Sequence, residues 1–150
     1  MSDARIRPFQ TGEESLLADL FNRCFAGQPN FWPQTAQTIA GGVTRRTFFE
    51  ATFDPNLLLI AQVQEKAVGF AHGCITKPQN GTAGAKPVGI FLLAGVDTRV
   101  RRQGVGSALM AGLASALLKA GTGGVSLDPH GFLPFYSNAE GPQTVPFGMV

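Results

Sequence analysis

The sequence predicts an α/β (α+β) domain in which a mixed, mostly antiparallel sheet is flanked by helices. Three observations carry this. Short apolar runs of strand length occupy residues 57–63, 67–75 and 88–96, with polar or glycine-bearing turns between them. Two longer segments, opening near residues 11 and 104, repeat apolar residues at helical spacing. A loop of arginines and glycines joins the last of these strands to the second helix. At 150 residues, 44% of them hydrophobic, the chain has the size and composition of a single domain spanning 1–150.

Taken in order, residues 6–9 suit a short first strand. Thr11 with Glu14 three residues on reads as a capping box. Leu16, Leu17, Leu20, Phe21 and Phe25 then follow at helical spacing, with Gly27 as a stop. In 31–53, Pro33 can open a helix through Ile39 and Phe48, but Gly41 and Gly42 interrupt it, so two short helices or one broken helix are expected. Asp54-Pro55-Asn56 is a turn, and Gln64-Glu65-Lys66 is another.

In the strand at 67–75, period-two alternation puts Val68, Phe70, His72 and Cys74 on one face and Ala67, Gly69, Ala71 and Gly73 on the other. The second face is nearly bare, so something can approach its backbone closely. Residues 77–86 read as a hairpin loop before the apolar strand at 88–96. The helix at 104–120 has Leu109, Leu113 and Leu117 every fourth residue. Only Ser107, Ser115 and Lys119 form a polar stripe, so it is expected to be mostly buried, with Gly121 as its C-cap. A short strand at 125–127 follows, then a proline-rich tail.

Charge narrows the function. The net charge of +2 is too small to argue for nucleic acid, and no interleaved aromatics accompany the basic residues. Their placement matters more. Between 98 and 127 there is no Asp or Glu, but there are Arg99, Arg101, Arg102 and Lys119. Such a region suits a multiply charged anion. Cys24 and Cys74 lack metal-type spacing and read as buried free thiols. No run approaches the ~20 apolar residues of a membrane span, and no apolar signal region follows Met1, so a cytoplasmic protein without metal is expected.

The informative string is Val96-Asp97-Thr98-Arg99-Val100-Arg101-Arg102-Gln103-Gly104-Val105-Gly106-Ser107. It lies between a strand and a helix, where the first helical turn presents unpartnered N–H groups and a positive dipole end. Glycines there let a phosphate reach those groups, and arginine adds charge and bidentate donors. A P-loop would need a Lys after its last glycine. A dinucleotide fingerprint would need glycine where Leu109 stands.

Arg101-Arg102-Gln103-Gly104-Val105-Gly106 resembles the (Q/R)-x-x-G-x-(G/A) pyrophosphate loop of the GNAT superfamily of N-acyltransferases. Residues 54–61 followed by 67–71 resemble that family's second and third strands, and the likeness runs over roughly residues 6–127. It implies an acyl-CoA N-acyltransferase fold, acetyl-CoA as co-substrate, and acetyl transfer to a primary amine, small-molecule or peptide, by direct attack. Carried over, Arg101, Arg102, Gln103, Gly104 and Gly106 flank the pyrophosphate, with Val105 and Ser107 adding backbone N–H groups. Ala94, Gly95 and Val96 lie beside the thioester.

The resemblance further implies a tyrosine acid after the fifth strand. Tyr136 is the only tyrosine, but Pro134 disfavours the helix the family shows there, so catalytic acid and edge-packing residue both stay open. No acid lies in 88–96 to match the family's usual base; Asp128, Glu50 and His130 remain by elimination, and His72 reads as a core histidine before a base. After Tyr136 only 14 residues remain, where the family adds two long strands. The C-terminal strands are therefore expected to be missing or shortened. A homodimer partner, or a second acetyltransferase-like domain, is expected to complete the sheet. A rival reading is a half-domain that binds CoA, or supports a catalytic partner, without turnover.

Overall fold

The computed structural model describes residues 3–29, 31–45, 53–76 and 86–127. Among them one sheet forms, in the order β1 (Arg5–Pro8), β2 (Leu58–Val63), β3 (Lys66–Thr76), β4 (Val88–Val96) and β5 (Val125–Leu127). The first four strands pair antiparallel, and β5 pairs parallel with β4. That last connection needs a crossover, which α3 (Val105–Lys119) supplies. The sheet is mixed and mostly antiparallel, as the apolar runs predict.

Two helical layers cover the sheet. On one face α1 (Glu14–Phe25) buries Leu17, Leu20, Phe21 and Cys24 against Phe70, Ile60 and Leu58. On the other, α3 buries Val105, Leu109, Leu113 and Leu117 against Leu59, Ala61 and Ala71. The bare face of β3 is what admits α3. A Cβ on Gly69 would lie 3.0 Å from Leu109 Cδ1, and one on Gly73 would lie 3.1 Å from Leu113 Cδ1. A Cβ on Gly89 of β4 would lie 3.1 Å from Leu117 Cβ. Leucines every fourth residue thus seat on glycines, and the helix axis comes close to the sheet. The close approach foreseen on that face is a helix.

Several elements differ from the sequence reading. Thr11 does not cap α1. Gly12 adopts φ +98 in a turn that delays the helix, and Glu13 occupies the N-cap position. The Glu13 carboxylate accepts from both Nη atoms of Arg7 at 3.0 and 2.9 Å and from the Gln10 N–H. The interrupted helix opens two residues beyond Pro33: Thr35 and Thr38 make a reciprocal capping box for α2 (Ala36–Ile39), which runs into a π-helical turn over Ala40–Thr44 containing both glycines. Phe48 and the loop at 77–85 lie outside the described residues.

Period-two alternation fails at Val68. The register passes from Gln62↔Ala67 to Ala61↔Gly69, so Val68 is a bulged residue. It packs with the α3 cluster, and Ala67 packs with the α1 cluster. Helix α3 is also less enclosed than its composition suggests. Only one stripe is fully buried, and Leu118 is 56% exposed. No helix among the described residues is long and apolar enough to cross a membrane.

Candidate active site

The site stands at the C-terminal end of β4. Asp97, the next residue, is buried, and its carboxylate accepts from the Arg99 N–H at 3.0 Å to cap a 3-10 turn over Thr98–Val100. It also takes Arg99 Nη2 at 2.9 Å and Arg23 Nε at 3.4 Å. The hydrogen bond from the Arg99 side chain, above all, holds its pKa down at about 2. The chain then turns through Arg102 at φ 63 and Gly104 at φ 83 into α3. A left-handed conformation suits glycine at 104; Arg102 adopts it without that licence.

The first turn of α3 has no side-chain cap. Its opening N–H groups, on Val105, Gly106 and Ser107, therefore lack intrahelical partners. Among the described residues, a Cβ on Gly106 would meet Val96 Cγ2 at 3.7 Å, an ordinary contact distance, so this glycine is not crowded. Arg101, Arg102, Gln103, Gly104 and Ser107 are exposed beside them. Uncapped N–H groups, a glycine open to approach, and local positive charge form a cradle that fits a pyrophosphate.

Beside this helix start, the described residues of β5 pair with Gly89, Ile90 and Phe91 of β4. The register with β3 then jumps from Gly73↔Phe91 to His72↔Leu93, leaving Leu92 bulged. Among the described residues, the remaining stretch to Val96 has no strand on its outer side, and Ala94 there is exposed. Gly95 faces the opposite way, where its Cβ would lie 3.0 Å from Cys24 Cβ and from Phe70 Cε1.

Not every residue foreseen as a ligand points at the cradle. The Arg101 guanidinium donates to the Val96 carbonyl at 3.0 Å and to the Cys24 carbonyl at 2.9 Å. The network of Arg23, Asp97 and Arg99 was not visible from spacing, since Arg23 lies on α1, far away in sequence. His72 is a core histidine: it is fully buried, packs edge-on to Phe53 at 5.5 Å, and burial pushes its pKa down to about 3. Cys24 and Cys74 are buried and form no disulfide with each other, and burial first, then Asp97, pushes Cys24 up to about 12. Tyr136, Asp128, Glu50 and His130 lie outside the described residues. Among the described residues no cluster of His, Cys, Asp or Glu could hold a metal.

A mixed, mostly antiparallel sheet between helices, with β4 leading through a tight turn into the uncapped start of α3, is an acyl-CoA N-acyltransferase-like fold. The chain belongs to the GNAT family of acetyltransferases, whose model matches residues 16–136. Solved structures agree on the fold. A GNAT family acetyltransferase from Staphylococcus aureus is 13% identical, with 85% of this chain and 87% of that one covered at a TM-score of 0.63. An aminoglycoside acetyltransferase from an uncultured soil metagenomic sample, in complex with sisomicin, is 18% identical over 96% and 93%, at 0.60. An aminoglycoside N-acetyltransferase in complex with CoA is 17% identical over 97% and 92%, also at 0.60. No curated protein sequence matches the chain.

Proposed function

We propose that this protein transfers an acetyl group from acetyl-CoA to a primary amine. The observation that carries the reading is the uncapped, glycine-bearing first turn of α3, directly after the arginine-bearing turn that follows β4. The N–H groups of Val105, Gly106 and Ser107 take the pyrophosphate, with Arg102 and Gln103 at its flank. The acyl arm lies beside Ala94, Gly95 and Val96, whose backbone orients the thioester. The amine nitrogen bonds to the acetyl carbon and the C–S bond breaks; the nitrogen gives up a proton to water, and the leaving thiolate takes one up. Tyr136 is the candidate donor of that proton. The acceptor amine is a small molecule or a peptide N-terminus or side chain.

Acetyl-CoA turnover against an amine panel, read as thiol release, tests the activity. Gly106→Val should keep the fold, since the nearest side-chain atom is 3.7 Å from the new Cβ. It should weaken acetyl-CoA binding about tenfold or more by blocking charge-assisted hydrogen bonds. Unchanged affinity in calorimetry would overturn the cradle assignment. Tyr136→Phe should lower kcat on the order of a hundredfold and leave CoA affinity alone.

A second reading, CoA binding without turnover, is favoured by one observation. The described acid and imidazole nearest in sequence to β4 are unfit as bases: Asp97 is locked by arginines, and His72 is sealed in the core. CoA binding with no thiol release across the panel would select it.

A further inference from the structure

At the end of α1, two arginines reach across in opposite directions. From the helix, Arg23 Nη2 donates to the Ala67 carbonyl at the start of β3, at 2.7 Å, while its Nε lies 3.4 Å from Asp97. From the loop, Arg101 returns to α1 and donates to the Cys24 carbonyl at 2.9 Å. Cys24 stands in the last turn of α1, so its carbonyl has no intrahelical donor; Gln28 N–H goes to the Phe25 carbonyl instead. A cation there also meets the negative end of the helix dipole. The other branch of the same guanidinium holds the Val96 carbonyl at 3.0 Å, at the last residue of β4.

We propose that Arg101 is a positioning residue for the acyl-donor site: its guanidinium fork clamps the end of β4 to the C-terminus of α1 and so fixes the turn that aims the first N–H groups of α3. It is not the arginine that neutralises phosphate. That part falls to Arg102, its equally exposed neighbour in the left-handed turn. The argument is geometric. A planar fork spans two carbonyls on different elements, which an ammonium point charge on a flexible stem cannot do equally well. Two directional bonds bind one side chain to α1 and β4 together. The packing around them leaves little slack, since a Cβ added at Gly95 would lie 3.0–3.1 Å from Cys24, Phe25 and Phe70.

The inference rests on the acetyl-CoA reading, and its test separates the two. Acetyl-CoA affinity of Arg101→Lys, Arg101→Gln and Arg102→Met is measured by calorimetry at about 50 mM and about 500 mM salt, which brackets strong and weak screening. Backbone hydrogen exchange is followed in the free protein. Arg101→Lys keeps the charge but should still lose affinity about tenfold, by the same factor at both salts, as expected for a lost pair of charged hydrogen bonds. Arg102→Met should lose affinity at low salt only. Exchange in the last turn of α1 should accelerate in both Arg101 variants and not in Arg102→Met. Full affinity in Arg101→Lys, or a loss in Arg101→Gln that fades with salt, would place Arg101 on the phosphates and overturn the proposal. If the wild type binds no acetyl-CoA, the functional reading fails, and the clamp stands or falls on hydrogen exchange alone. Unchanged protection of α1 in Arg101→Gln, which covers the case in which the lysine variant does not fold, would then refute it.

Discussion

The two faces of the sheet are held by different kinds of contact. Under α3 the sheet gives up side chains: Gly69, Gly73 and Gly89 leave hollows for Leu109, Leu113 and Leu117. Under α1 it keeps them, and Phe70 meets Phe21 and Phe25 at ring distances of 6.3 and 6.2 Å. Polar bonds from Arg23 and Arg101 then tie the end of that helix to the strand ends. Shape alone sets the height of α3 above the sheet, and with it the position of the N–H groups at its start. The α1 face is bulkier and depends on directed bonds at one end. The difference teaches that the start of α3, the proposed donor site, is positioned by subtraction on one face and by bracing on the other.

The largest expected effect tests the glycine seats. Gly73→Val would put a Cβ 2.9 Å from the Ile90 carbonyl oxygen and 3.1 Å from Leu113 Cδ1. Backbone and a buried leucine must both give way, and overpacking of this kind costs about 3 kcal/mol. Phe21→Leu on the other face removes part of a ring from a softer aromatic cluster and should cost about 1.5 kcal/mol. Denaturant unfolding with an unchanged m-value would report both. Equal losses would mean that the faces do not differ in tolerance.

Much of this architecture was legible in the sequence. Strands β4 and β5 fall where the apolar runs end, and α3 begins one residue after the glycine that opens it, because leucines every fourth residue admit only one period. The bulge at Val68 was not legible. An extra residue flips a face without changing composition, and nothing in Ala67-Val68-Gly69 marks which residue is extra. The delay of α1 was hidden by a competing use of Glu13, whose carboxylate Arg7 holds. The strand-turn-helix placement of R-x-x-G-x-G was legible, since the motif is local. The clamp around it was not, because Arg23 and Cys24 reach Asp97 and Arg101 only through the tertiary fold.

A smaller effect concerns pH and the α1 face, where His72 packs against Phe53. Burial lowers its pKa from 6.5 to about 3. In that interval the unfolded chain binds a proton that the folded chain refuses, so folding stability falls as pH drops from about 6.5 towards 3. Asp97 acts lower. Its carboxylate, drawn from 3.8 to about 2 mainly by the Arg99 side chain, gives up its contribution only as pH falls below 3.8. Loss of stability between pH 6.5 and 4 therefore belongs to the histidine. A denaturant midpoint that declines across that window in the wild type, but stays level in His72→Gln, is the expected result. Parallel curves would assign the decline to another group.

The smallest effect sharpens the comparison at the loop itself, where Arg102 holds φ 63 without being glycine. A left-handed non-glycine residue costs roughly 1–2 kcal/mol, part of which Arg102→Gly would recover and part of which the greater freedom of glycine in the unfolded chain would offset. Net stability should then rise by no more than ~1 kcal/mol. The same change removes the exposed charge beside the α3 N-terminus. Acetyl-CoA affinity should fall a few-fold at low ionic strength and converge with wild type near 1 M salt, where the screening length is about 3 Å. A more stable protein that binds its donor less well would show that the arginine is kept in a strained turn for its charge. A variant with unchanged affinity at low salt would show that Arg102 faces solvent, and that the N–H groups of α3 hold the pyrophosphate without it.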